Sequence, residues 1–369
     1  SQALQHEHSS NPSGGGTQQY EYTTRENGTK LSLQISEMTS TVIINNIQQS
    51  NKVYTYEYDD SGNITKISLG GVVQYAYQYD KLGQLVRVDD SVTGHTYMYY
   101  YNSLGNMQYK YTYPLGTTSG TPIDTKYYNY GDSSWGDLLT HYNNVAITYD
   151  TIGNPLTYHN GFTFTWKQGR RLAEARNGSI EIFFKYNDEG IRTSKEVNGV
   201  EHIYHVVGST ILSEEWTDAN GVHHILAYLY DAQDSPIGMG YRNSTYPSGT
   251  VNTYWFEKNL QGDVIAIYNE GGTKLVSYTY DAWGKVTTTY HNGGASTAVQ
   301  YNPFRYRGYY YDSELGFYYL NSRYYDPETG RFIIADTFVN ANGDMPGFNM
   351  FAYCSNNPVN RTDAAGFQP

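Results

Sequence analysis

One short motif constrains this chain more than anything else in it. Tyr is followed by Asp or Asn and then, after two further residues, by Gly, and the unit recurs along the sequence. Tyr58-Asp59-x-x-Gly62-Asn63 returns as Tyr79-Asp80-x-x-Gly83-Gln84 and as Tyr101-Asn102-x-x-Gly105-Asn106, with starts 21 and 22 residues apart. Later copies begin at Tyr149, Tyr186 and Tyr280, and weaker relatives at Tyr230, Asn259 and Tyr311. Each reads as a strand ending in Tyr, an Asp or Asn that caps its own turn, and a Gly supplying a positive φ. The outgoing strand alternates, as in Asn63-Ile64-Thr65-Lys66-Ile67, and so does the incoming one, with Tyr54, Tyr56 and Tyr58 on one face. A lone hairpin cannot bury such a stripe, so neighbouring hairpins must join edge to edge.

The expected fold is therefore all-β: a spiralling sheet of hairpins forming a shell or partial barrel. Tyr accounts for 42 of 369 residues. Its hydroxyl needs a partner, so a Tyr-rich inner face is expected to meet a hydrated interior rather than a dry core. Residues 1–18, polar and Gly/Ser-rich, read as a flexible N-terminal arm. The hairpin wall occupies 19–300, with loops at 114–124, 242–253 and 290–299.

Several classes are excluded or disfavoured. No apolar run approaches the length of a membrane span. The N-terminal stretch lacks the features of a signal peptide, although secretion as part of a longer protein stays open. A single cysteine, Cys354, allows no internal disulfide and no multi-cysteine zinc site, and reads as a buried apolar thiol. The net charge of −12, with scattered Lys and Arg, argues against a nucleic-acid partner. His202 and His205, and the adjacent His223 and His224, do not converge as ligands if they sit on strands. No metal and no cofactor are expected.

From residue 301 the chain changes style. Asn302-Pro303-Phe304-Arg305-Tyr306-Arg307-Gly308 is followed by Gly316-Phe317-Tyr318-Tyr319-Leu320. Then come Arg323-Tyr324-Tyr325-Asp326-Pro327-Glu328-Thr329-Gly330-Arg331-Phe332 and, further on, Asn356-Asn357-Pro358 before Asp363. With the upstream repeats, these blocks resemble the Rhs/YD-repeat family, which includes toxin-complex C components and, more distantly, teneurins. The resemblance covers about residues 50–369 and is most specific over the last 70.

The resemblance implies a β-sheet cocoon around a variable C-terminal polypeptide, typically a toxin, with residues 301–367 as a C-terminal Rhs core plug. It also implies self-cleavage by two aspartates. They map to Asp336 and Asp363, with the scissile bond at Phe367–Gln368 and residues 368–369 opening the passenger. Pro usually follows both aspartates, where Thr337 and Ala364 stand here, and Phe367 replaces a Leu. Two carboxylates held close share a proton, so one can activate water while the other protonates the scissile carbonyl. Read from spacing alone, Asp336 is a strand-end cap and Asp363 a turn residue. Arg323 and Arg331 are candidates either for structural ion pairs or for splitting the two carboxylates into base and acid.

The implied function is the encapsulating wall of a secreted or cell-surface bacterial toxin. Its partners would be the passenger and an upstream shell half or a delivery-system protein, since family shells use a longer chain. An extracellular adhesion module binding glycan or protein through exposed aromatics is the alternative.

Overall fold

The computed structural model describes residues 3–8, 14–27, 30–336, 349–363 and 365–366. The described residues form thirty strands, from β1 (Ala3–His8) to β30 (Arg331–Phe332), each antiparallel to its sequence neighbours within a sheet, and no α-helix. β1 to β12 form one sheet, β13 to β26 a second and β27 to β30 a small third. The two large sheets are nearly one. β12 (Val145–Ala146) and β13 (Thr148–Tyr149) are separated only by Ile147. Among the described residues the wall does not close into a barrel, because β1 and β26 (Val286–Tyr290) each pair on one side only.

The repeats form as their chemistry dictates. In the first, Gly62 N–H donates to the Asp59 carbonyl and Asp59 N–H to that of Asn63, with Gly62 at φ 88°. This is a tight turn followed by a left-handed residue, and the pairing register shifts at Glu57/Tyr58. The Asp59 carboxylate accepts both the backbone and the side-chain amide of Asn63, at 2.8 and 3.0 Å. Asp80, Asn102, Asp150, Asn187, Asp231, Asn259 and Asp281 repeat the backbone cap. Asp218, which follows Thr217, and Asn269, in a full Tyr268-Asn269-x-x-Gly272 copy, do so as well, and sequence reasoning missed both.

The tyrosine of most motifs has a second task. Tyr79 Oη donates to the Ile64 carbonyl at 2.7 Å, Tyr101 to Leu85 at 2.7 Å and Tyr280 to Val264 at 2.6 Å. Each acceptor directly follows the preceding turn, so these repeats are clamped to the one before them, whereas Tyr186 and Tyr268 turn their hydroxyls to Tyr324 and Glu257. Tyr58, Tyr130, Tyr149 and Tyr230 make equivalent bonds. These clamp hydroxyls are satisfied by backbone, and for them the hydrated interior expected from composition is not required.

What the inner face meets is the chain's own C-terminal segment. A single apolar core runs from Met38 through Tyr77, Leu172 and Val276 to Tyr318, Tyr325 and Tyr353. Cavities of about 270 and 390 Å³ remain between the strands around Tyr75 and those around Tyr280. The wall curls far enough to meet itself. Val42 and Ile44 of β3 (Lys30–Ile44) pack against Trp255 of β23 (Asn252–Lys258) and Ala266 and Tyr268 of β24 (Val264–Asn269). Lys52 pairs with buried Glu257 at 2.9 Å across the same seam.

Two readings from sequence need correction. The described residues of the supposed arm are strands: β1 pairs with β2 (Gly14–Asn27) and β2 with β3. Polar composition did not preclude pairing through the backbone. Asp312 of the Tyr311 copy is not a turn cap. The copy has an extra residue before its Gly, and the carboxylate is buried, bonded to Arg192 at 2.5 Å and Lys195 at 3.1 Å.

Candidate functional site

The motif turns hold the C-terminal segment. Asn357 Nδ2 donates to Asn63 Oδ1 at 3.0 Å, and Asn356 Nδ2 to Gln84 Oε1 at 2.9 Å and to the Gly105 carbonyl at 2.7 Å. Three successive non-Gly residues, Cys354, Ser355 and Asn356, take positive φ of 51°, 51° and 60°. Each costs about 1–2 kcal/mol in that region. The turn they form aims the two asparagines at consecutive repeats. The Asp-Pro-x-Thr-Gly-Arg block docks the same way. Asp326 takes bonds from Tyr158 Oη (3.0 Å) and Thr329 Oγ1 (2.8 Å) and faces His159 Nε2 at 2.9 Å. A Cβ on Gly330 would lie 2.8 Å from the Trp283 ring.

Arg323 ends the β28–β29 turn, paired with Leu320 across β28 (Phe317–Leu320) and β29 (Arg323–Asp326). One guanidinium nitrogen, Nη2, lies 2.9 Å from Asp336 Oδ2 and 3.1 Å from Asp363 Oδ2. Two aspartates 27 residues apart thus meet on a single cationic nitrogen. All three residues are buried. Asp336 reaches this point because its N–H donates to the Met350 carbonyl, and Asp363 because its N–H donates to Tyr309 Oη. Arg323 also stacks its guanidinium over the Phe332 ring, donates from Nη1 to the Met350 carbonyl and from Nε to the Gly366 carbonyl.

The electrostatics follow from this packing. Burial pushes the Asp363 carboxyl up to about 6; Arg323 and the N–H groups of Gly366 and Ala365 oppose the shift, and Asp336 adds to it. Burial brings the Arg323 guanidinium down to about 10, against the pull of both carboxylates. Ala365 and Gly366 are tightly held. Ser322 Oγ donates to the Ala365 carbonyl at 2.8 Å, and a Cβ on Gly366, at φ 74°, would stand 2.5 Å from the Leu320 carbonyl oxygen. Phe367 and Gln368, like Thr337 and Ala364, lie outside the described residues.

Arg331, the other candidate, serves the wall instead. It donates to Asn106 Oδ1 at 3.0 Å, to Tyr130 Oη at 3.1 Å and to the Asp137 carbonyl at 2.7 Å. Cys354 is fully buried, and burial pushes its thiol up to about 12. His202 and His224 stack on either side of Trp216, while His205 and His223 share Glu215 on the opposite face. No cluster of three or more His, Cys, Asp or Glu suited to a metal occurs among the described residues.

Strand after strand of clamped hairpins, curled round a terminal segment that carries a buried Asp–Arg–Asp cluster, defines a repeat-built β-shell. The chain belongs to the Rhs/YD-repeat shell family: residues 73–359 match the Teneurin YD-shell family. It is 34% identical over 291 residues to the tRNA3(Ser)-specific nuclease WapA of Bacillus spizizenii, covering 78% of this chain and 12% of that protein. It is 25% identical over 335 residues to the double-stranded DNA deaminase toxin A of Burkholderia cenocepacia, covering 79% and 22%. The crystal structure of TcdB2-TccC3-Cdc42 superposes with a TM-score of 0.71 at 17% identity, over 96% of this chain and 19% of that one. The chain thus spans a small fraction of the curated relatives it matches. No helix among the described residues is long and apolar enough to cross a membrane.

Proposed function

We propose that this chain is the C-terminal part of the shell of an Rhs-type bacterial toxin, and that it severs itself from a C-terminal passenger at Phe367–Gln368. The observation that carries the reading is the convergence of Asp336 and Asp363 on Arg323 Nη2, with the Gly366 carbonyl on the same guanidinium. The relatives support the shell half of it. Proteins named for a tRNA nuclease and for a DNA deaminase share this region, so the shared region is not where their named activities differ.

In this mechanism Asp336, ion-paired with Arg323, takes a proton from water as the oxygen adds to the Phe367 carbonyl carbon. Asp363, protonated up to about pH 6, donates to the carbonyl oxygen. On collapse of the tetrahedral intermediate Asp336 passes the proton it took from water to the Gln368 nitrogen, Asp363 takes its proton back from a hydroxyl as the carbonyl re-forms, and the C–N bond breaks to leave a Phe367 carboxyl and the Gln368 amine. Arg323 is a positioning residue: it holds both carboxylates and the carbonyl one residue before the scissile one. The protein would be secreted or cell-surface, with the passenger and the rest of the shell as its partners.

Intact mass of a longer parent chain tests this. Two fragments meeting at Phe367–Gln368 are expected for the native sequence, and one full-length species for Asp363→Asn and for Asp336→Asn. A native parent that stays whole, or an Asp363→Asn parent that still divides there, sinks the scission and leaves the shell reading standing.

A further inference from the structure

Arg323 bridges the two aspartates almost evenly, at 2.9 and 3.1 Å, so by itself it does not decide which carboxyl holds the shared proton. A second guanidinium stands on one side only. Arg170 belongs to the wall, in the turn between β15 (Thr163–Lys167) and β16 (Arg171–Asn177), where it follows Gln168 and Gly169 at φ 49° and 84°. Its Nη1 is buried and meets no hydrogen-bond partner among the described residues. A cationic donor is costly to bury in that way, so packing alone gives no reason for an arginine here.

Three contacts bring this turn beside Asp336. Asn154 Nδ2 donates to the Gly169 carbonyl at 2.8 Å, tying it to the neighbouring motif turn. Trp135 covers that motif turn, where a Cβ on Gly153 would stand 2.8 Å from its ring. Trp135 in turn packs with Leu138, Phe351 and Ala335, the residue before Asp336. Two carboxylates act on Arg170, those of Asp150 and Asp336, and both oppose the lowering that burial imposes on its guanidinium. Asp150 is already engaged by its own turn. Its oxygens accept the N–H groups of Ile152 and Asn154, at 3.0 and 2.9 Å, and the Asn154 side-chain amide at 2.8 Å. The charges that act most on Asp363 are those of Arg323 and Asp336.

We propose that Arg170 is a positioning residue for the scission: it holds the negative charge on Asp336 and so leaves the proton to Asp363. The inference rests on the scission reading above. It makes the wall part of the site, because the base is set only once the C-terminal segment has docked beside the 168–170 turn, and release of the passenger then follows enclosure. The time course of scission in a longer parent chain, followed by intact mass, tests it. Arg170→Gln, which removes the charge, is expected to slow scission at least about tenfold. Arg170→Lys, which keeps the charge, is expected to retain most of the native rate. Thermal unfolding of each variant checks the fold. A folded Arg170→Gln parent that divides at the native rate overturns this proposal and leaves the scission standing, as does an Arg170→Lys parent slowed as much as Arg170→Gln. A native parent that stays whole overturns both. If Arg170→Gln does not fold, Arg170→Met is measured in its place, and failure of both to fold makes the guanidinium structural and overturns the proposal.

Discussion

The wall and the segment it surrounds solve the same problem, satisfying polar groups in an aromatic protein, in opposite ways. In the wall the solutions are local. A turn aspartate bonds the residue four positions on, and Tyr79 bonds a carbonyl 15 residues back. In the C-terminal segment they are remote: Asn356 meets Gln84 across 272 residues, Asn357 meets Asn63 across 294, and Arg192 meets Asp312 across 120. A wall of this kind can grow hairpin by hairpin, as repeat proteins do. The segment can dock only once the turns that receive it exist, and it carries the long-range contacts that slow folding. Enclosure and the assembly of the Asp–Arg–Asp cluster are then one event, because the strands that place Arg323 are held by the turns.

The sharpest contrast lies in charge. Arg192 and Asp312 are both fully buried, the guanidinium ringed by Tyr204, Tyr310 and Tyr319. Arg192→Met leaves Asp312 in the core with only Lys195, and should cost about 4 kcal/mol in denaturant unfolding. Lys185→Ala, on the exposed Lys185–Glu201 pair of the wall, should change stability by no more than about 0.5 kcal/mol. Equal losses would erase the distinction.

Glycines separate the regions next. Gly284 and Gly199 have nearly the same φ, 86° and 84°. A Cβ on Gly284 would stand 2.6 Å from the Tyr306 ring of the enclosed segment, while one on Gly199 meets nothing within 4 Å. Gly284→Ala should therefore cost about 3 kcal/mol, combining backbone strain with overpacking. Gly199→Ala should cost about 1 kcal/mol from the backbone alone. Paired melting curves decide.

The cluster has a pH signature that the turns lack. The folded carboxyl of Asp363 is raised to about 6, so the folded state holds this proton at a pH where the unfolded chain has lost it. Stability from this group is full below about pH 4, falls as pH rises towards about 6, and stays reduced above it. Native minus Asp363→Asn unfolding free energy should drop by about 2 kcal/mol between pH 4 and 7. A flat difference would mean that the carboxyl is not buried as described. Scission, if Asp363 is its acid, should slow about tenfold per pH unit above about 6.

How much could be read in advance follows the same division. Turn caps and stripes were legible because each is encoded within six residues, as in Tyr79-Asp80-x-x-Gly83-Gln84. The copy at Asp218 lost the tyrosine and kept the turn but not the signal, whereas Tyr268-Asn269-x-x-Gly272 carries the whole motif and went unread. The plug was legible only as resemblance. Its left-handed run at Cys354–Asn356 contains no glycine to announce it, and the buried fate of Asp312 depends on Arg192, more than a hundred residues away. The aspartates could be named, but the choice between Arg323 and Arg331 could not be made. It depends on which side chain the small sheet turns inward, and Arg331 is drawn to Asn106 and the Asp137 carbonyl.

The smallest effects test whether the two regions are joined where the geometry joins them. Tyr230 Oη serves the wall, donating to the Ile211 carbonyl at 2.6 Å. Tyr79 Oη does the same to Ile64 but also accepts from Asn360 Nδ2 at 2.9 Å, while Asn360 Oδ1 takes the Ile64 N–H at 2.7 Å. Each Tyr→Phe change should cost about 1 kcal/mol, the net worth of one hydrogen bond. Combined with Asn360→Ala, Tyr230→Phe should simply add, because the two do not share a partner. Tyr79→Phe should not add: in a double-mutant cycle it should couple to Asn360→Ala by at least about 0.5 kcal/mol. Additivity at Tyr79 would detach the enclosed segment from the clamp at this point, leaving the wall's tyrosines purely local.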